Sequence, residues 1–215
     1  PGPGVFTKQI SLKINETNNF YAIELDKRFV NQLNDKYKNI KNIYIIEDNF
    51  LDWARNVVLS GDTLMLGAIP YYITSPIIHN IVKMANKPKV VVLMIQKEVA
   101  EKICEKGVKS NYFSTFVKTF YDVSYIDTVS KNDFIPVPKV DSAIIKLTLK
   151  DDFYGIIDIA KYQKFLHKGF KNQKKMLNKV FDDQMLGKVG LVGTQRPHEL
   201  SVSTWVKLYN LQKDS

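Results

Sequence analysis

Apolar and polar positions along the first half of the chain change period several times. Residues 5–13 follow a Gly2-Pro3-Gly4 turn and predict a short helix. Residues 19–25, NFYAIEL, form a β-rich run closed by an acid. Over 26–37, Phe29, Val30 and Leu33 share one helical face. A strand at 43–46 ends in Glu47-Asp48, and a short one at 63–66 leads into Gly67-Ala68-Ile69-Pro70-Tyr71-Tyr72. Ser75 opens a helix with Pro76 in its first turn, where the absent N–H would have no partner anyway. The run VVVLMI at 90–95 predicts a strand buried on both faces. A helix over 97–106 is stopped by Gly107. A strand at 123–129, a proline-rich loop at 133–139 and an alternating strand at 143–149 follow.

Strand and helix alternate to about residue 110, the order of an open parallel sheet with helices on both faces. Two consecutive strands close it. After Asp151-Asp152 the pattern is wholly helical, at about 158–181 and 201–211. The expected architecture is α/β and Rossmann-like, with a domain over 1–150 and a small helical domain over 151–215. The glycine turn stands where a strand should already have passed, so the sheet is expected to be N-terminally truncated, lacking its first strand.

Charge narrows the partner. Lys and Arg total 31 against 22 Asp and Glu, a net +9. Such an excess favours a polyanion, although solvated lysine faces account for part of it. An apolar fraction of 45% excludes a disordered chain. The lone Cys104 sits in a helical pattern and excludes a disulfide framework. His79, His167 and His198 are scattered without metal-ligand spacing, so no metal is expected. Neither a membrane span nor a signal peptide is visible, and the expected location is cytoplasmic.

In open α/β sheets ligands sit at the carboxyl ends of the strands. Gly2 and Gly4 let backbone approach a ligand closely. Glu24 lies 20 residues beyond Gly4, the spacing at which an acid takes ribose hydroxyls. Asp48, at the next strand end, can accept from an adenine amine, or can cap the helix that follows. These features suit any adenosine cofactor, NAD and S-adenosylmethionine alike. The loop Gly67-Ala68-Ile69-Pro70-Tyr71 discriminates. Methyltransferases that act on aromatic amines place a polar residue, an apolar one, Pro and an aromatic there. The amine's lone pair is delocalised, so acceptors on its N–H groups must steer it toward an in-line methyl. The carbonyl of Ile69 is one such acceptor, and Tyr71 can stack on an extruded base.

Six segments then fall in a recognisable order. They are Pro1-Gly2-Pro3-Gly4-Val5-Phe6-Thr7, Ala22-Ile23-Glu24-Leu25-Asp26, Gly67-Ala68-Ile69-Pro70-Tyr71-Tyr72-Ile73-Thr74, Gln96-Lys97-Glu98-Val99-Ala100, Phe134-Ile135-Pro136-Val137-Pro138-Lys139-Val140-Asp141-Ser142-Ala143 and Arg196-Pro197-His198-Glu199-Leu200-Ser201. The chain resembles the rRNA adenine N6,N6-dimethyltransferases, the KsgA family. That resemblance implies a class I methyltransferase fold and S-adenosylmethionine as donor, leaving S-adenosylhomocysteine. It implies two adjacent adenosines near the 3′ end of small-subunit rRNA as target, within an immature small ribosomal subunit, and a monomeric enzyme. Gly2 and Gly4 would approach the methionine part, Glu24 the ribose and Asp48 the adenine, and position 68, here Ala68, would also belong to the cofactor site. Tyr71 and Phe134 would sandwich the target base. Lys171, Lys174 and Lys175, in a basic stretch interleaved with Phe170, Met176 and Leu177, would face RNA phosphate.

The chain departs from the family at Ala68, where Asn is usual. Ala accepts no hydrogen bond, so a slow or inactive form is expected. A non-catalytic ribosome-assembly factor and a large-subunit methyltransferase conferring antibiotic resistance are the competing readings. A dehydrogenase would leave the Ile-Pro-Tyr loop without a task.

Overall fold

The computed structural model describes residues 1–60, 62–105, 109–152, 156 and 158–213. They fall into two units, one of Pro1–Leu59 with Ser75–Met84, the other of Ser60–Thr74 with Ala85–Ser215.

In the first unit, helix α1 (Val5–Ser11) follows the glycine turn. Strand β1 (Phe20–Glu24) pairs in parallel with β2 (Ile43–Glu47), Glu24 opposite Glu47 at the carboxyl end. Helix α2 (Lys27–Tyr37) joins them. Asp26 starts it by accepting the Arg28 N–H, which satisfies one of the free donors of the first turn. Leu33 and Tyr37 of α2 pack on Ile43, with Phe20 and Ile45 against them. Leu33 is fully buried, a burial that stabilises by about 1.5–3 kcal/mol. Helix α3 (Phe50–Asn56) follows β2, and α4 (Thr74–Lys83) belongs to this unit from Ser75 on.

The second unit holds the ladder β3-β4-β6-β5. Strands β3 (Leu64–Ala68) and β4 (Val90–Gln96) are parallel. Strands β5 (Tyr121–Val129) and β6 (Ser142–Leu149) are antiparallel to each other, and β6 runs antiparallel to β4. The apolar run of β4 alternates: Val91, Leu93 and Ile95 are buried, while Val90, Val92 and Met94 stay half-buried, so burial on both faces is not reached. Helix α5 (Lys97–Cys104) ends at Glu105 in the left-handed region; the expected stop, Gly107, lies outside the described residues. Helix α6 (Tyr112–Phe120) is not among the elements expected from the sequence.

The tail is helical but more broken than its periodicity predicts. Helix α7 (Ile159–Phe170) ends where the chain turns over 171–175, and α8 (Asp183–Lys188) and α9 (Val202–Lys213) follow. The helix expected to run to 181 stops because later backbone donors find partners outside it. Leu177 N–H donates to Gln195 C=O and Asn178 N–H to Gly193 C=O. An aromatic cluster anchors the tail: Phe165, Phe170 and Phe181 surround the fully buried Trp205. Tyr162 of α7 and Thr119 of α6 share a hydrogen bond of 2.9 Å.

Candidate active site

Four expected cofactor residues lie in the first unit. Gly4 is buried at φ 87°, in the left-handed region that favours glycine. A Cβ there would stand 2.5 Å from Leu33 Cδ2. Gly2, at φ 55°, has open space where a Cβ would point, as a backbone approached by a ligand requires. Its N–H donates to Glu24 Oε2 at 2.7 Å. Glu24 Oε1 accepts from the Leu25 and Asp26 N–H groups, each at 2.9 Å. Partial burial pushes the Glu24 carboxyl up, while hydrogen bonds from the Asp26 and Gly2 N–H groups pull it down, and the group sits below its ordinary pKa.

The two strand-end acids adjoin through backbone, Asp48 N–H donating to Glu24 C=O at 3.1 Å. The capping role left open for Asp48 belongs to Asn49, whose side chain accepts the Leu51 N–H. Asp48 Oδ1 accepts the Asn49 N–H at 2.7 Å. Among the described residues no donor reaches its Oδ2. These residues are compatible with an adenosine cofactor: an ionised carboxylate at a strand end whose Oε2, already accepting the Gly2 N–H, is the oxygen left for a hydroxyl donor, a second carboxylate with a free oxygen for an amine, and an open glycine backbone.

The loop residues lie in the second unit. Ala68 closes β3 opposite Met94 and is exposed, with no acceptor atom in its side chain. Ile69 N–H reaches Met94 C=O at 3.4 Å. Its carbonyl has no donor among the described residues. Pro70, at φ −57° and ψ 135°, turns the chain into a 3-10 turn, Tyr71–Ile73. Tyr71 is half-buried, and its hydroxyl lies 2.7 Å from Ser142 Oγ. Tyr72 is 85% exposed. Phe134, half-buried, follows the 3-10 turn Lys131–Asp133. Asp141 fastens that segment, its Oδ1 accepting the Lys131 N–H and its C=O the Lys97 N–H, both at 3.0 Å. Beside it an open cleft of about 340 Å³ is lined by Lys97, Lys131 and Lys139 together with Glu98, Glu101 and Asp141.

The basic residues of the tail lie on the turn after α7, where a helical face was expected. Lys171, Lys174 and Lys175 are exposed, and among the described residues none has an ion-pair partner. Phe170 and Leu177 on either side are buried, but Met176 is 42% exposed and docks only in part. Among the described residues no helix is long and apolar enough to cross a membrane, and no cluster of His, Cys, Asp and Glu could hold a metal ion.

The model of one family, described as ribosomal RNA adenine dimethylase, matches residues 1–211. The chain belongs to the ribosomal RNA adenine dimethylase family. It is 33% identical to ribosomal RNA small subunit methyltransferase A of Sulfurihydrogenibium sp., over 98% of this chain and 82% of that protein. It is 32% identical to the protein of the same name from Persephonella marina, over 96% and 80%. The fold is that of class I methyltransferases. A dimethyladenosine transferase from Plasmodium falciparum superposes with a TM-score of 0.79 at 22% identity, over 99% of this chain and 87% of the other. The 23S rRNA methyltransferase ErmE superposes with 0.74 at 20% identity, over 98% and 87%. For a ribosomal RNA adenine dimethylase, the expected cofactor acids and loop aromatics all lie at strand ends or on the loops that follow. In the sequence, Asp141 and Ser142 are only letters of a motif. What each holds shows only in three dimensions, since Tyr71 is 71 residues from Ser142.

Proposed function

We propose that this chain transfers methyl groups from S-adenosylmethionine to N6 of two adjacent adenosines near the 3′ end of small-subunit rRNA, during maturation of the small subunit in the cytoplasm, and that it works as a monomer. The match of the dimethylase family model over residues 1–211 carries the reading. S-adenosylmethionine, when bound, supplies an electrophilic methyl group on a sulfonium. Glu24 would accept the cofactor's ribose hydroxyls and Asp48, through its free Oδ2, the adenine amine. Gly2 and Gly4 would let backbone stand against the methionine part. Tyr71 and Phe134 would hold the extruded adenine between their rings, and the Ile69 carbonyl would accept one N–H of its amine. Lys171, Lys174 and Lys175 would take RNA phosphate.

Position 68 sets the rate. With Ala68 the amine finds one acceptor fewer, and removing one such preorganised hydrogen bond costs about a hundredfold or more. The test is transfer of labelled methyl to small subunits lacking the modification, for this chain and for Ala68→Asn. Slow transfer by Ala68 and gain in the Asn form are expected. Full turnover with Ala68 refutes the role given to that side chain. Cofactor binding with no transfer by either form refutes the enzyme reading and leaves a non-catalytic rRNA-binding factor.

A further inference from the structure

We infer that Ser142 is a positioning residue for the base-stacking ring of Tyr71, and that the tether between their hydroxyls is why the loop carries tyrosine rather than phenylalanine. The inference rests on the role proposed above for Tyr71.

Ser142 is well fixed. It opens β6, which lies between β4 and β5, and it is registered against Gln96 on one side and Val129 on the other. Its side chain is fully buried. Its neighbour Asp141 binds the N–H groups of Lys97 and Lys131. The Ser142 hydroxyl therefore projects from a strand start held on three sides. Its partner is the Tyr71 hydroxyl at 2.7 Å, a short O–H···O hydrogen bond.

Tyr71 is placed differently. It begins a 3-10 turn after Pro70, outside any strand, and it is only half-buried. An aromatic ring on such a turn keeps rotation about two side-chain bonds. Pinning the phenol oxygen, which lies on the ring's long axis, fixes the direction of that axis before a base arrives, and the in-plane preference of the phenolic O–H favours one ring orientation about it. Stacking needs that axis held, because an offset face-to-face arrangement is lost when the ring swings. Phenylalanine would present the same face without the pin, and it would leave the buried Ser142 hydroxyl unpaired.

The experiment compares the wild-type chain, Ser142→Ala, Tyr71→Phe and the double variant. The probe is a small-subunit rRNA hairpin with 2-aminopurine in place of the target adenosine, bound in the presence of S-adenosylhomocysteine. The fluorescence change reports the base captured against the ring. Each single variant is expected to weaken capture about three- to tenfold, the worth of one hydrogen bond. The double variant should be no weaker than the singles, while the affinity for S-adenosylhomocysteine stays unchanged in all four. Wild-type capture by Ser142→Ala, or losses that add in the double variant, overturn the inference. If the wild-type chain gives no fluorescence change, the stacking role of Tyr71 fails first and the positioning role with it.

Discussion

Replacing Gly4 by Ala tests how tightly the turn is held against the core. Gly4 sits at φ 87° and ψ 24°, and a side chain in the left-handed region costs about 1–2 kcal/mol. The new Cβ would also stand 2.5 Å from Leu33 Cδ2 and 3.8 Å from Thr7 Cβ. Leu33 is fully buried against Tyr37 and Ile43, so it has little room to retreat. Forcing a methyl group into a packed core costs about 1–3 kcal/mol. Together the two effects come to about 2–5 kcal/mol. Gly2→Ala is the control: its φ of 55° carries the conformational cost, but nothing lies within 4 Å of the added carbon. Urea unfolding followed by circular dichroism separates the two. With a denaturant slope of about 1–3 kcal/mol per molar, Gly4→Ala should unfold roughly 1 M below Gly2→Ala. Equal midpoints would refute the steric argument and show that Leu33 yields freely.

Three further outcomes are expected. Lys174→Ala with Lys175→Ala should weaken RNA binding and flatten its logarithmic salt dependence by about 1.5, near 0.7–0.9 for each phosphate no longer neutralised; an unchanged slope in filter binding at several salt concentrations removes these lysines from the interface. Gly169→Ala should destabilise by about 1–3 kcal/mol, because its Cβ would meet Trp205 Cη2 and lie 2.6 Å from Cζ3, whereas Gly187→Ala, with open space, should stabilise by about 0.5–1 kcal/mol; thermal melts that shift the same way for both contradict the packing of α7 on α9. Hydrogen bonding and ion pairing with Arg28 hold the Asp26 carboxyl at about 2, below its ordinary 3.8; the stability it adds is therefore full above about pH 4 and lost as pH falls toward 2, and Asp26→Asn should flatten the melting temperature over that window.

The parts of the fold most legible in the sequence are those where burial and period coincide. β1, β2 and β4 lie within a residue of the apolar runs at 19–25, 43–46 and 90–95. Helix α6 is hidden for a physical reason. Its sequence YFSTFVKTF does carry a helical period, Phe113, Phe116, Val117 and Phe120 at i, i+3, i+4 and i+7, but it is short and rich in aromatic and β-branched residues that favour strand, which masks the period. The buried hydroxyls of Thr119 and Ser114 are satisfied locally, Thr119 Oγ1 donating to Thr115 C=O and Ser114 Oγ to Asn111 C=O. The lysine turn imitates a helix because Phe170 and Leu177 keep helical spacing, although α7 ends at Phe170 and the backbone turns between the two. In the candidate site, strand-end acids are legible because spacing from a glycine turn is a one-dimensional signal. The Ser142 tether is not, because hydrogen bonds between distant loops leave no period.

The two tryptophans of this chain fall one to each unit, Trp53 in α3 and Trp205 in α9. Trp205 is sealed in apolar surroundings and Trp53 is half-exposed beside Phe50. The molecule therefore carries its own pair of optical probes with different baselines. Emission from Trp53→Phe follows the aromatic cluster of the tail, and emission from Trp205→Phe follows the half that holds Glu24 and Asp48. Superimposed transitions mean one cooperative unit, and separated ones mean that the cofactor half opens by itself. Ligand added during such a titration would then show which half it steadies without any label being attached.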